Sequence, residues 1–348
     1  MSDLKWSFYQ VWNESLENRS ERKLALRNHI WAGELGGSFI DRYLKMKATP
    51  YTNPPNPRSL RKFEAGNMME WVVGSVLKRA GILIPLPPLP NGKPANWLSF
   101  QYPDLLEVTG RLDFFAGGKP DWSKAKQEVE SLGLPEFFAR GTNAIIDHFS
   151  TTYPNGLAEV ILEVKSCSSF MFERYEKLGV DKRHSLQLFH YLKAKNLPEG
   201  HVVYISKDDL RMLEFGVFNP SPTEEIYKKD IEDMTHFIKN SKEPEKEKEI
   251  LFDRESGKFN SNWKVAYSVY LTKLYGYKDQ LEFDTKFRPM VSQWNRVLGR
   301  CVKGDNMTPA NLEIIEAIKK TFPNFDEYVQ IAKEKGVVPE EEEKQNDY

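Results

Sequence analysis

Two apolar segments of the chain carry charged residues inside a strand-like pattern. Residues 158–165 run Ala-Glu-Val-Ile-Leu-Glu-Val-Lys and predict a buried strand. Because strand side chains alternate between faces, Glu163 and Lys165 point the same way. Residues 108–115 predict a second apolar strand with Asp113 near its centre. Burying a carboxylate or an ammonium is costly unless another group compensates for the lost hydration. A metal ion together with a phosphate would compensate, and so would a simple ion pair between the two side chains.

Helical periodicity and turn signals surround these two segments. Residues 1–49 predict helices, residues 50–57 hold four prolines and predict a loop, and residues 63–81 predict an amphipathic helix. The inward stripe of that helix has the spacing i, i+3, i+4, i+7 and i+8, and consists of Met69, Val72, Val73, Val76 and Leu77. Residues 117–156 form an insertion between the two charged strands, which either covers the site or is an addition without a role in it.

A helix and a hairpin follow the second charged strand. Gln187 and Tyr191 are four residues apart and therefore share one face of the predicted helix. Residues 201–206 and 210–218 predict two strands joined by a short turn. The order of elements is thus a strand with Asp, a strand with Glu-x-Lys, a helix with Gln-x-x-x-Tyr, and a hairpin.

Composition indicates a globular protein of a reducing compartment. The 348 residues are 40% apolar and 28% charged, and no apolar run is long enough to predict a membrane span. The first residues lack the apolar core of a signal peptide. Two cysteines, Cys167 and Cys301, exclude a disulfide framework. We therefore expect a cytoplasmic protein that does not enter a membrane.

Charge is segregated along the chain although the net charge is only −1. Residues 19–62 hold ten Lys and Arg against three Asp and Glu, and residues 258–303 hold nine against three. Acidic residues collect in the C-terminal tail, residues 340–343. Segregated positive charge is what a surface that follows a phosphate backbone requires. Solvated helix faces explain either segment equally well by itself.

The order of these motifs resembles the PD-(D/E)XK nuclease superfamily, in the branch that holds RecB-type nuclease domains, CRISPR adaptation exonucleases and phage exonucleases. The resemblance covers about residues 30–275. It implies an α/β fold of the restriction-endonuclease-like kind, a mixed central sheet flanked by helices with helical N- and C-terminal additions. It also implies metal-dependent cleavage of DNA, in the bacterial or phage-infected host cytosol.

The resemblance assigns roles to the residues of the charged strands. Phosphodiester hydrolysis needs a nucleophilic water, relief of charge on the phosphate and help for the leaving oxygen, and a divalent metal supplies all three. Asp113 and Glu163 are expected to bind Mg²⁺ or Mn²⁺, with the carbonyl of Val164 as an extra ligand. Lys165 is expected to orient or activate the water and to stabilise the developing negative charge. An ordinary salt bridge on an edge strand is the alternative.

Three further residues match positions of the family. Gln187 and Tyr191 correspond to its Gln-x-x-x-Tyr motif, in which they would hold Lys165, a phosphate or a water. Alternatively, Tyr191 packs against the sheet and Gln187 caps a neighbouring group. Glu70 follows Gly66 at the place of an N-terminal acid or histidine, and would complete the metal site. A surface glutamate is the alternative for Glu70, and Glu64 is the competing acid.

The chain departs from many relatives by lacking the cysteines of an iron–sulfur cluster. Val265 and Ser268 stand where a Trp-x-Cys-x-Tyr-Cys-x-Tyr-like run would place thiolates, and two cysteines cannot supply four ligands. We therefore expect no iron–sulfur cluster, with aromatic packing in its place. The residues expected to contact DNA are Arg42, Arg61, Lys62 and Tyr267.

These inferences divide the chain and define an expected function. The expected regions are a basic helical part at 1–62, a nuclease core at 63–240, an aromatic and basic part at 241–304, a helical segment at 305–338, and an acidic tail at 339–348. Within the helical segment, Thr308 is expected to cap the start of a helix. The expected activity is exonucleolytic and serves recombination, repair or phage DNA processing. Its substrate would be DNA with single-stranded character or free ends, and a helicase or recombination protein its partner. A structure-specific or single-strand endonuclease and a non-catalytic DNA-binding subunit are the alternatives.

Overall fold

The protein is described by a computed structural model that covers residues 7–20, 24–86, 96–133 and 135–337. The chain divides into two compact units. Of the described residues, those within 7–49 and 55–243 form the first, and those within 50–54 and 244–337 form the second. The described part of the N-terminal region that the sequence sets apart at residue 62 thus belongs with the core, except residues 50–54, and the acidic tail lies outside the described residues.

The first unit alternates helices with two sets of strands. In chain order its elements are α1 (Phe8–Ser20), β1 (His29–Trp31), α2 (Phe39–Met46), α3 (Pro57–Arg79), β2 (Trp97–Phe100), β3 (Glu107–Arg111), β4 (Phe114–Gly118), α4 (Trp122–Ser131), α5 (Glu136–Thr152), β5 (Leu157–Cys167), α6 (Ser169–Leu178), α7 (Lys182–Lys195), β6 (Glu199–Ser206), β7 (Met212–Phe218) and α8 (Thr223–Lys239). The expected mixed α/β architecture, with mixed sheets flanked by helices, is confirmed at this level.

Two sheets organise the described part of this unit. The strand order of the first is β4-β5-β6-β7, in which β5 and β6 run parallel and the other pairs run antiparallel. The order of the second is β1-β3-β2, with β1 parallel to β3. Glu163 lies opposite Val202, and Lys165 opposite Tyr204, so both charged residues belong to the parallel pair.

The prediction of one continuous strand through residues 108–115 is wrong. Strand β3 ends at Arg111 and β4 begins at Phe114, and the two strands belong to different sheets. The backbone of Leu112 forms hydrogen bonds to Asn96 instead. The N–H of Leu112 donates to the Asn96 backbone carbonyl at 2.9 Å, and the side-chain amide of Asn96 donates to the Leu112 carbonyl at 3.1 Å. Asp113 therefore lies in a break between two sheets.

Local signals explain where the helices near this break begin. Helix α3 starts earlier than the apolar stripe predicts, because Asn56 accepts a hydrogen bond from the N–H of Ser59 at 2.9 Å and Pro57 occupies the first turn. Helix α7 starts after Asp181, whose carboxylate accepts from the N–H of Arg183 at 2.8 Å. Residues 1–49 are less helical than predicted, because β1 extends the second sheet.

The insertion consists of a helical pair. Helices α4 and α5 share a small buried cluster of Ala125, Val129 and Ile146. The aromatic side chains of Phe137 and Phe138, at the start of α5, remain exposed. None of the helices in the described residues has the length and hydrophobicity needed to span a membrane.

The second unit is a hairpin surrounded by helices. Its elements are β8 (Ile250–Asp253), β9 (Lys258–Ser261), α9 (Trp263–Ala266), α10 (Leu271–Tyr275), α11 (Gln280–Lys303), α12 (Pro309–Thr321) and α13 (Phe325–Glu334). As predicted, Thr308 caps α12, accepting from the N–H of Asn311 at 3.3 Å. Val265 lies in the core of this unit with Phe259 and Phe283.

Candidate active site

Asp113 is held by the strand that carries the other charged residues. Its Oδ2 accepts a hydrogen bond from the backbone N–H of Val164 at 2.8 Å. This bond joins the break between β3 and β4 to the middle of β5. The next residue along the chain, Phe114, pairs with Leu162 of the same strand. Asp113 and the Glu163–Lys165 segment, 50 residues apart in the sequence, are thereby placed together.

Glu163 and Lys165 extend from the same face of β5, as the strand period predicts. The carboxylate of Glu163 is completely buried, and its Oε1 accepts a hydrogen bond from the Lys165 ammonium. The second oxygen, Oε2, has no hydrogen-bond partner among the described residues. A buried carboxylate oxygen without a partner is costly, so this atom is suited to bind a cation.

Burial and like charge determine the protonation of the site. Burial, and then repulsion from Glu163, raises the pKa of Asp113 well above its usual range. Burial also raises the pKa of Glu163, against the lowering effect of Lys165. For Lys165, burial lowers the pKa, but attraction from Glu163 and Asp113 outweighs it and the net shift is upward. Lys165 is therefore held as an ammonium, which can stabilise negative charge.

Glu70 on α3 faces the same cluster. Its negative charge raises the pKa of both Asp113 and Glu163. Its Oε1 lies 3.9 Å from Nη2 of Arg111, and 59% of the Arg111 side chain is exposed. Such an exposed, long ion pair is weak, so Glu70 can exchange it for another cation.

Tyr191 is buried, and its hydroxyl forms hydrogen bonds within the protein; its catalytic role stays a prediction. The residue is 1% exposed. Its hydroxyl donates to the backbone carbonyl of Arg111 at 2.9 Å and accepts from Nε2 of Gln187 at 3.2 Å. Arg111 is the last residue of β3, two positions before Asp113. Tyr191 is therefore a positioning residue for the break that carries Asp113, and Gln187 supports it.

The donor set fits a small divalent cation. No three His, Cys, Asp or Glu residues form a metal-binding group within the ranges that the structure describes. Mg²⁺, however, takes one or two carboxylates and completes its shell with waters and substrate phosphates. Asp113 and Glu163, with the unpartnered Oε2, supply that minimum. The roles of Glu70 and of the Val164 carbonyl as further ligands stay predictions.

Arg42 is not available to DNA, and the prediction that it contacts DNA is wrong. The residue is 1% exposed, and its guanidinium donates to both oxygens of Asp230, at 2.6 and 3.0 Å. The same Asp230 accepts from the N–H of Gly36. Arg42 therefore joins α2 to α8 inside the first unit, which explains the basic residue without a phosphate.

The other predicted DNA contacts differ in accessibility. Lys62 is exposed, and 68% of Tyr267 is exposed, so both side chains can reach a ligand. Arg61 is half-buried and donates to the side chain of Asn13. Tyr270, the neighbouring aromatic of the second unit, is completely buried.

A pocket adjoins the site at the carboxyl ends of β5 and β6. Its volume is about 480 Å³, and its lining is Lys62, Lys165, Ser166, Cys167, Ser168, Met171, Tyr175, Arg183, His184, Tyr204, Lys207 and Asp208. No motif of the sequence indicated Lys207 as a site residue, because only the parallel pairing of β5 and β6 brings their ends together. Ligands of α/β proteins commonly bind at this end of parallel strands.

Comparisons with known proteins leave the family unassigned. No protein-family model matches the chain, and no curated protein matches it either. Among solved structures, the crystal structure of SSO0001 is similar with a TM-score of 0.41 and 15% sequence identity, over 77% of this chain and 96% of that one. Similarity at this level carries no argument about fold family or function.

Proposed function

We propose that the protein is a divalent-metal-dependent DNA nuclease with a restriction-endonuclease-like core. The observation that carries the proposal is the grouping of Asp113, Glu163 and Lys165 around a buried carboxylate oxygen that has no partner among the described residues. An ion pair alone does not account for this grouping. Two carboxylates and one ammonium leave an excess of negative charge, and burial, the main cause of the raised pKa of both acids, makes that charge costly.

Each residue has a defined task in this proposal. Asp113 and Glu163 would hold Mg²⁺ or Mn²⁺, which when bound supplies charge relief on the phosphate and an activated water. The Lys165 ammonium, kept protonated by its two acidic neighbours, would stabilise the negative charge that develops on the phosphate. Tyr191 keeps Asp113 in place through the carbonyl of Arg111.

The proposal that the substrate is DNA, and that attack begins at its ends, rests on the resemblance of the motif order to RecB-type and phage exonucleases. The basic residues 19–62 and 258–303 would bind the phosphate backbone. Single-stranded regions or free ends are the proposed substrate, and a helicase or recombination protein the proposed partner. A non-catalytic DNA-binding subunit would not need Asp113, Glu163 and Lys165 together.

Digestion of labelled linear DNA and of closed circular duplex tests this proposal. Wild-type protein with Mg²⁺ or Mn²⁺ should degrade linear DNA progressively and leave closed circles intact, and EDTA should stop the reaction. Glu163→Gln should reduce cleavage by at least ~10²-fold. Glu159→Gln, which alters an exposed acid of the same strand, is the matched control. If the wild type nicks closed circles and Glu163→Gln does not, the protein is an endonuclease instead of an exonuclease. If Glu163→Gln cleaves DNA as the wild type does, the proposed site is refuted.

A further inference from the structure

The pocket beside the active site is lined by an excess of positive charge. Its lining includes the basic side chains of Lys62, Lys165, Arg183 and Lys207, and one acid, Asp208. The Asp208 carboxylate already accepts from the N–H of Ser169 at 2.7 Å, at the beginning of α6. Burial raises the pKa of the Cys167 thiol to about 11, so that group adds no negative charge to the pocket.

Two of these cations have no acidic partner. Among the described residues, neither Lys62 nor Lys207 forms an ion pair, and the ammonium of Lys207 donates to the backbone carbonyl of Lys62 at 3.0 Å. Burial, and then repulsion from Lys62, lowers the pKa of Lys207. The charge of Lys62 thus repels the Lys207 ammonium, and a bound anion would relieve that repulsion. Arg183, in contrast, is paired with Asp181 at 3.2 Å.

A neutral hydrogen-bond donor completes the lining. The hydroxyl of Tyr204 accepts from the N–H of Asp181 at 3.0 Å and lies 2.8 Å from Nδ1 of His184. Burial lowers the pKa of His184 to about 3, so the imidazole is neutral. We assign the Tyr204 hydroxyl as the donor to Nδ1, which places the proton of the neutral ring on Nε2. His184 thus offers an uncharged N–H to the pocket.

We propose that this pocket binds the phosphate group next to the scissile phosphate, through Lys62, Lys207 and the Nε2–H of His184. The position follows from Lys165, which both lines the pocket and contacts Glu163 of the active site. The identity of the ligand as a phosphate of a nucleic-acid strand rests on the proposed function. The anion-binding character rests on the pocket alone and holds whether or not the protein cleaves DNA.

Binding of a short single-stranded oligonucleotide in EDTA tests the proposal without cleavage. The double variant Lys62→Gln, Lys207→Gln should bind at least ~10-fold more weakly, because hydrogen bonds to charged groups are lost. The slope of log affinity against log salt should decrease by about 0.7 for the one phosphate released. Lys119→Gln, an exposed lysine outside the pocket, should change neither quantity.

His184→Phe separates the neutral contact from the charged ones. The variant should weaken binding of the same oligonucleotide while the salt slope stays that of the wild type, since no cation is removed. Thermal unfolding of each variant shows whether the pocket remains folded. Among folded variants, wild-type affinity and slope in the lysine double variant would overturn the proposal.

Two further outcomes distinguish this proposal from the nuclease proposal. Inorganic phosphate should compete only weakly with the oligonucleotide. If inorganic phosphate binds as tightly as the oligonucleotide, and the lysine double variant weakens the binding of phosphate alone, the pocket is a site for free anions and the proposal is refuted. If the pocket binds the oligonucleotide as expected but Mg²⁺ and Mn²⁺ support no cleavage, the nuclease assignment fails and the phosphate site stands. If the lysine double variant binds and cleaves DNA as the wild type does, the phosphate site fails and the nuclease assignment stands.

Discussion

The Tyr191 hydroxyl donates a hydrogen bond to the carbonyl of Arg111 at 2.9 Å, and this bond fixes the strand end that leads to Asp113. Gly110 approaches this bond closely, since a Cβ atom there would lie 2.9 Å from the Tyr191 oxygen. A glycine in β3 and a tyrosine in α7 therefore form one structural unit behind the site.

We expect Tyr191→Phe to lower both stability and turnover. Loss of the hydroxyl leaves the Arg111 carbonyl without this donor, which should cost about 1–3 kcal/mol of unfolding free energy. Tyr227→Phe is the matched control, because Tyr227 is also completely buried and lies 3.0 Å from His190, on the α8 side of α7. Urea unfolding should show similar losses for both variants, whereas only Tyr191→Phe should reduce the turnover number on DNA. Equal activity in the two variants would remove the positioning role.

Asp113→Asn should stabilise the protein while it inactivates it. The pKa of Asp113 is raised, so the folded state binds a proton more tightly than the unfolded state does. The folded state is therefore penalised as pH rises through that pKa, and the uncharged amide of the variant cannot incur this penalty. In EDTA, the unfolding free energy of the variant should exceed that of the wild type at pH 7, and the difference should vanish toward pH 3. Cleavage should fall by at least ~10²-fold. A variant less stable than the wild type at pH 7 would show that the cluster is not electrostatically strained.

Glu70→Gln should raise the concentration of Mg²⁺ needed for half-maximal cleavage. An amide binds a hard cation less well than a carboxylate does, and Glu70 is the acid of α3 whose charge reaches Asp113 and Glu163. Glu64→Gln, on the same helix, is the control and should titrate as the wild type. Identical metal titrations for both variants would assign Glu70 to its ion pair with Arg111 alone.

His201 should stabilise the central sheet only in its charged form. Its Nδ1 lies 2.5 Å from Glu214 and its Nε2 lies 3.1 Å from Glu199, and the hydrogen bond to Glu214 is the main reason that its pKa is raised. A raised pKa gives stabilisation that is complete below the ordinary histidine pKa of about 6.5 and is lost as pH rises through the higher value. Urea unfolding of His201→Gln should therefore show a deficit at pH 6 that disappears at pH 9. His148→Gln, at an exposed position of α5, should show no such difference.

Local patterns predicted the parts of the site that lie within one element. The strand period placed Glu163 and Lys165 on one face, and the helical period placed Gln187 and Tyr191 within hydrogen-bond reach. The break at Leu112 could not be predicted in this way, because it depends on hydrogen bonds to Asn96 from outside the segment.

Long-range pairing also decided the features that the sequence did not indicate. Strand β1 exists because Ile30 pairs with Val108, far along the chain. Lys207 joins the pocket because β5 and β6 run parallel, and the burial of Arg42 follows from its partner Asp230 on α8. The basic character of Arg42 follows from its residue type, but whether it pairs with a phosphate or with a carboxylate depends on its neighbours in the fold.

The interruption between β3 and β4 makes the position of Asp113 depend on the folding of both sheets. Asp113 is not part of a continuous strand; its neighbour Leu112 is bonded to Asn96, and its own carboxylate is bonded to the N–H of Val164 in the other sheet. If either sheet is unformed, the aspartate is not in place. Under the proposed nuclease function, a chain that is still emerging, or one that has partly unfolded, would therefore be unable to cleave nucleic acid. In that proposal, activity requires both sheets of the first unit to be formed.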